Sequence, residues 1–562
     1  ILNSAEKRDY DALQFNSEMD GSVNASINLL NNDLTLMGVT RILMSDSQDV
    51  KIFPSDKTVI VKKGRDFTFG GVIQAGRLEY FGKEYFFHYE PFTIDLLNVD
   101  SVSFMATSFE KNDEGKHTLK RVKNVLEQVS GTLEIDAPSN KSGINQKDYT
   151  AYPKFNSAKE SFVFYDRGNI QRGVYVRDKF YYRSDPFQID SLDNFTNEGL
   201  TFNGTLVSGG IFPDIKEPIT LQNDYALGFE RATGTAGLPL YGRKAKFNAT
   251  ITLNGRGLQG NGTLEYLTTT VSSKSLIFMP DSTLGRADTL TNVAATTPTK
   301  VPEVQGGDLF VRLTPADDLL RTEMLRKPMA MFGGQTLLHG TTDLKPSGMT
   351  GAGLADFGNA TLRSDLYEFE TMLIHADTSD FRLTEGDTAS IAFRTDNVNS
   401  TIDLDERVGE FVSNGDETKV EFPVNQYFCY MDRFKWFMDQ GDIELESDRT
   451  AAAANEDLQL AGSNFISSRP DQDSLSFMAP KARYDLKRHL ITATSVQYIQ
   501  VADALITPDS LTVRVRKNAE MDPLDHAEVL ANFVTKYHKI YDANIVIKAK
   551  RQYSGKGFID YV

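Results

Sequence analysis

The sequence predicts an all-β protein with minor helical insertions, laid out as an elongated multi-module array of β-solenoid or β-sandwich/groove repeats. Apolar and polar residues alternate along most of the chain, as in Lys51-Ile52-Phe53, Val59-Ile60-Val61 and Leu511-Thr512-Val513-Arg514-Val515, which is the period of half-buried strands. Asn, Asp, Gly and Pro interrupt these runs every ten or so residues, about where strands turn. The chain also repeats itself. At 562 residues it exceeds one compact core, because single cores stop growing near ~250–300 residues.

Taken in order, five stretches emerge. Residues 1–62 read as a β-solenoid-like module, and residues 451–562 as a related one: Ala25, Ile27, Leu29, Leu34, Val39 and Ile42 align with Ala482, Tyr484, Leu486, Ile491, Val496 and Ile499. Ile52-Phe53-Pro54 then meets Ile506-Thr507-Pro508 after a small deletion. In the second copy Val496, Tyr498, Ile499, Val501, Ala504 and Ile506 are expected to stack inward, with Asp503 and Asp509 at corners. Asp503 is also the one residue with a metal reading, as a structural Ca²⁺ ligand, although calcium repeats need several regularly spaced acids.

Residues 63–235 hold a pair of units that share the frame F-x-G-x-[IL]-x-[AS]-G, at Phe69 to Gly76 and Phe202 to Gly209, and the phrase P-F-x-I-D, at Pro91 to Asp95 and Pro186 to Asp190. A short helical insertion is expected over His117 to Val129. Residues 236–390 hold two related β repeats 91 residues apart: Tyr241-Gly242, Thr250, Leu253 and Phe278 return as Phe332-Gly333, Thr341, Leu344 and Phe369. Asp317 to Leu325 reads as a second short helix. The shared G-[LM]-x-G-x-G, at Gly257 and Gly348, marks sharp turns or closely packed strands. A phosphate cradle needs a helix after the glycines, whereas Thr263-Leu264-Glu265-Tyr266-Leu267 is strand-like.

Residues 391–450 read as a β segment with a short helix over Asp432 to Met438. The only tryptophan, Trp436, lies there with Phe434 and Phe437. These three are the candidate binding or structural residues. A docked helix is favoured over a sugar-stacking platform. Cys429, the only cysteine, sits in the aromatic run Val424 to Tyr430 and reads as a small buried hydrophobe.

Net charge is -17, which disfavours nucleic acid and anionic membranes, since binding there rests on clustered Lys and Arg. No run approaches the roughly 18 apolar residues of a transmembrane helix. One cysteine permits no intramolecular disulfide. None of the seven histidines pairs with another His or Cys at zinc spacing, and phosphate-loop, nucleophile-elbow and kinase motifs are absent. No catalytic or cofactor-binding residue is selected. The enzymatic option left open is glycoside hydrolysis by two facing acids, and no feature selects a pair.

The run Asp473-Ser474-Leu475-Ser476-Phe477 through Val501-Ala502-Asp503-Ala504, the Tyr553 to Tyr561 close and Ile211-Phe212-Pro213 resemble segments of very large uncharacterised exported envelope proteins of Gram-negative bacteria. A looser likeness is to LptA/OstA-type and AsmA/TamB-type β-repeat proteins, whose curved groove carries acyl chains. The resemblance implies an exported chain of the periplasm, outer membrane or cell surface, with other envelope proteins as partners in a larger assembly and a lipid or glycan as possible ligand. The function expected is a non-enzymatic structural or interaction scaffold. The alternatives are a lipid or lipopolysaccharide conduit with an apolar β-groove, and a carbohydrate-binding surface protein.

Overall fold

Strand accounts for 59% of the structure and helix for 4%, and among the described residues every helical stretch is a single three-residue 3-10 turn. A computed structural model describes residues 15–19, 23–45, 47–141, 149–385, 390–415, 418–452, 459–532, 534–535 and 538–560. The sheets are antiparallel and do not close into a barrel. The all-β class therefore holds, but the three expected helices do not.

Each of those helices is a strand, for a local reason. Over His117 to Val129 the chain forms His117–Arg121 and enters Leu126–Glu134. Leu126 and Val129, three apart, are both buried, a spacing that reads as a helical turn. Between them Gln128 takes a left-handed φ of 57°, and the register slips just beyond, between Val129 and Gly131, so strict alternation breaks here. Asp317 to Leu325 is a turn leading into Leu319–Met324, where Leu320 and Thr322 point inward and Arg321 and Glu323 outward. Asp432 to Met438 contains Arg433–Phe437, with Phe434 and Trp436 buried and Arg433 and Lys435 exposed. Period two, not 3.6, places the aromatics.

The described chain divides into two compact units, residues 1–264 with 273–284, and residues 265–272 with 285–562. In the first, a sixteen-stranded sheet runs from Ala25–Ile27 to Ile215–Lys216. Its core is aromatic: Tyr80 meets Phe155 at 5.3 Å between ring centroids, Phe155 meets Phe187 at 5.7 Å, and Phe187 meets Phe202 at 4.8 Å. Tyr80 and Phe155 lie on strands that do not pair with each other, so inward faces close over a shared apolar centre.

In the second unit, a meander from Val304–Thr314 to Thr512–Val515 buries Trp436 against Phe381 at 5.2 Å, and Phe411 stacks on Phe434 at 4.4 Å. A five-stranded sheet follows, in the order Ile499–Val501, Ala504–Thr507, Leu524–Ala531, His538–Ala549, Gln552–Ile559. Val496, Ile499, Val501, Ala504 and Ile506 are buried as expected and Tyr498 is half-buried. The strands Ile499–Val501 and Ala504–Thr507 form an antiparallel hairpin, not coils laid parallel on one another.

The glycine motif bends strands. Gly353 has a φ of 128° at a register slip, and a Cβ built there falls 2.3 Å from the His339 carbonyl oxygen. Gly262, 91 residues earlier, has a φ of 155° and meets the Asn248 carbonyl at 2.1 Å. Only glycine fits this bulge at either place.

The two terminal segments share their pairing pattern. Ala25–Ile27, Leu34–Met37 and Thr58–Val61 pair in that order, as do Lys481–Asp485, Leu490–Thr494 and Thr512–Val515. The N–H of Val39 donates to the Lys57 carbonyl at 2.8 Å, and that of Val496 to the Leu511 carbonyl at 2.9 Å. Val50–Pro54 pairs with Phe67–Ala75 as Ala504–Thr507 pairs with Leu524–Ala531. The next strands also match, Leu78–His88 with His538–Ala549 and Thr93–Lys111 with Gln552–Ile559.

Candidate functional site

Phe434 and Trp436 belong to the core and present no ring to a ligand; Phe437, at the end of the same strand, is half-buried. The Trp436 indole N–H finds no acceptor among the described residues. Asp503 is exposed on the turn between Ile499–Val501 and Ala504–Thr507. Among the described residues no group of three or more His, Cys, Asp or Glu is arranged to hold a metal ion. The four sequence-selected residues therefore do not converge on a site. Cys429 is fully buried, and burial pushes its thiol well above the ordinary range, which removes the thiolate that thiol chemistry requires.

Two surface depressions hold polar groups. One, of 230 Å³, is lined by Ser364, Asp365, Glu368, His375 and Asp377 among others. His375 lies 3.2 Å from Asp377 and 3.1 Å from Thr401. The Ser364 hydroxyl donates to the carbonyls of Thr378 and Leu366, at 2.7 and 2.9 Å, so the hydroxyl within hydrogen-bond distance of the imidazole is that of Thr401. The other, of 690 Å³, includes Arg394, Lys419, Glu421 and Phe428. Glu421 takes both cations, Lys419 at 2.5 Å and Arg394 closer still, and the Lys419 ammonium covers the Phe428 ring at 4.3 Å. Both cations are thus engaged by the one carboxylate.

The exposed feature with the fullest structural context is a sheet edge. Gln552–Ile559 pairs with His538–Ala549 on one side, and among the described residues no strand pairs on the other. Phe558 is 61% exposed and Ile559 45%. Phe558 stacks on the exposed Tyr541 at 6.2 Å. The matching strand of the first unit is covered: Leu126–Glu134 pairs with residues 93–102, and Ile94, Leu96 and Val102 are buried.

The converse holds at the other end of the pattern. Lys481–Asp485 is covered on its outer side by Asp442–Glu446, whereas the matching Ala25–Ile27 has no outer partner among the described residues. Ile27 is 57% exposed where Tyr484 is fully buried. Each copy of the pattern thus has an open edge where the other has a strand. An unpaired edge presents unsatisfied N–H and C=O groups, and is a ready template for another chain.

The edge carries a local excess of positive charge. Residues 538–560 carry five Lys and Arg against two Asp, a local excess of three positive charges in a chain of net charge -17. Lys539 pairs with Glu528 at 2.9 Å and Arg551 sits 3.6 Å from Asp473. Lys548, Lys550 and Lys556 have no ion-pair partner among the described residues. Beside the edge, Asp542 hydrogen-bonds His526 and holds its imidazolium above the ordinary pKa of 6.5. Sequence reading missed Tyr541, Phe558 and the three lysines. The signal in the sequence was a local cluster of cations, one of several in an acidic chain. Comparison with known proteins finds no family model, no curated protein and no solved structure that matches this chain.

Proposed function

We propose that the chain is a non-enzymatic interaction scaffold of the bacterial cell envelope, at the outer membrane, periplasm or cell surface. The observation that carries this reading is the uncovered outer edge of Gln552–Ile559, at a position where the matching strand Thr93–Lys111 is covered. The resemblance of Asp473 to Ala504 to exported envelope proteins supports the location. A lipid conduit draws less support, because the inward faces are filled by side chains such as Tyr80, Phe87, Phe381 and Trp436.

A second reading, carbohydrate binding, is favoured by the exposed Tyr541–Phe558 stack with Asp560 hydrogen-bonded to the Tyr541 hydroxyl at 2.8 Å. Stacked exposed aromatics with polar neighbours suit a sugar face.

Chemical cross-linking of the chain within a Gram-negative envelope fraction tests the scaffold. Recurrent cross-links from Lys548, Lys550 or Lys556 to one partner are expected. A chain that stays monomeric and uncross-linked at both open edges contradicts it. A glycan array with a Phe558→Ala control decides the second reading.

A further inference from the structure

We infer that the outer edge of Gln552–Ile559 is a strand-addition site for an acidic, extended segment, paired antiparallel. This rests on the scaffold reading and names the chemistry of the partner.

The first support is the occupant of the matching edge. In the first unit Ile73 pairs with Tyr80, and in the second Val529 pairs with Ile540. Counting on, buried Tyr85 and Phe87 match buried Ile545 and Ile547. The strand beyond then matches as well, Ile94 with Tyr553 and Val102 with Ile559. Leu126–Glu134 lies antiparallel on that strand, with Leu133 opposite Ile94 and Leu126 opposite Val102. An incoming strand of the same register sets apolar side chains opposite Tyr553 and Ile559.

Where the first unit places Leu96 and Val99 inward, both buried, the C-terminal strand has Gly555 and Gly557, and the neighbouring strand covers them: a Cβ at Gly555 would fall 2.4 Å from the Ile545 Cδ1 and one at Gly557 2.7 Å from the Ile540 Cγ2.

The second support is charge. Leu126–Glu134 reads LEQVSGTLE and Asp442–Glu446 reads DIELE, with two and three carboxylates and no cation. Leu126–Glu134 sits on the strand that matches the open edge, and Asp442–Glu446 on the strand that matches Ala25–Ile27. The open edge carries Lys556, with Lys548 and Lys550 beside it, none with an ion-pair partner among the described residues. Edge lysines commonly repel non-specific pairing; here they also select an acidic strand.

The probe is the capped peptide LEQVSGTLE, titrated into the full chain and read by residue-resolved deuterium exchange. Exchange of the Gln552–Ile559 amides is expected to slow about tenfold or more at saturation, as newly paired amides do. The effect should weaken about fivefold or more in roughly 0.5 M salt, where surface charges are screened, and likewise in Lys548→Glu/Lys556→Glu. The same peptide N-methylated at alternate amides, which cannot pair as a strand, should give no protection. Unchanged exchange overturns the inference, as does equal protection by the N-methylated peptide. Protection that rises with protein concentration alone also overturns it, in favour of pairing with a second copy. Edge-mapped cross-links to a partner without peptide protection overturn strand addition while the scaffold stands.

Discussion

Lys57 and Leu511 occupy the same position of a duplicated turn: their φ angles are 52° and 51°, and their N–H groups donate to the carbonyls of Pro54 and Pro508 at 3.2 and 3.1 Å. Asn32 and His489 agree in the same way, with φ of 61° and 48°. Non-glycine residues rarely take positive φ, so the two matched pairs of turns add to the matched pairing patterns of the two segments. The segments differ in what lies on their outer edges.

The bulge glycines are expected to be intolerant of any side chain. Gly353→Ala combines a φ of 128° with a Cβ 2.3 Å from a backbone oxygen, and should cost about 1–3 kcal/mol. Gly168→Ala, where a Cβ meets nothing within 4 Å and φ is not positive, should change stability by less than about 0.5 kcal/mol. Chemical denaturation of both variants reads the difference; equal midpoints contradict the bulge account.

Trp436 is predicted to be structural. Trp436→Ala removes a fully buried ring packed on Phe381 and Phe357, and should cost roughly 3–5 kcal/mol. Trp436→Phe should lose less, because it keeps apolar volume and removes an indole N–H that has no acceptor among the described residues. Tryptophan emission should be blue-shifted in the native chain. An emission quenched by soluble acrylamide as readily as in the unfolded chain would contradict burial.

Cys429 should resist thiol reagents in the native chain and react once the chain is unfolded, since burial holds the thiol protonated. Ellman's reagent with and without guanidinium measures this. Stoichiometric labelling of the native protein would place the residue elsewhere.

His526 should titrate above 6.5, and Asp542→Asn should lower it, leaving the smaller upward pull of Asp509 and Asp525. Its pKa is raised by hydrogen bonding to Asp542 and by that carboxylate's charge. A raised imidazolium pKa contributes stability that is fully present below 6.5 and lost as pH rises through the folded value. Amides of Leu524–Ala531 should accordingly exchange faster above that pH. Nuclear magnetic resonance titration of the imidazole decides it; a midpoint at or below 6.5 sinks the prediction.

Much of this was legible from residue periodicity. Alternation over Val496 to Val515 located strands and their buried faces, because burial in a half-covered sheet has period two. The same reading failed at Gln128, whose left-handed φ breaks the alternation so that Leu126 and Val129 are both buried at helical spacing, and at Trp436, where neighbouring aromatics on a strand imitate an apolar helix face. The open edge was not legible at all. Whether Gln552–Ile559 is covered depends on a strand supplied from elsewhere in the fold, and a strand's own residues do not encode its second neighbour. Only the lysines around it left a trace in composition.

The central claim is that matching strands differ in coverage, and residue-resolved amide exchange of the free chain tests it most directly. The account predicts strong protection throughout residues 93–102, and near-unprotected exchange at every second amide of Gln552–Ile559, those facing the open edge. Uniform protection of Gln552–Ile559 in the free protein, equal to that of residues 93–102, would contradict it.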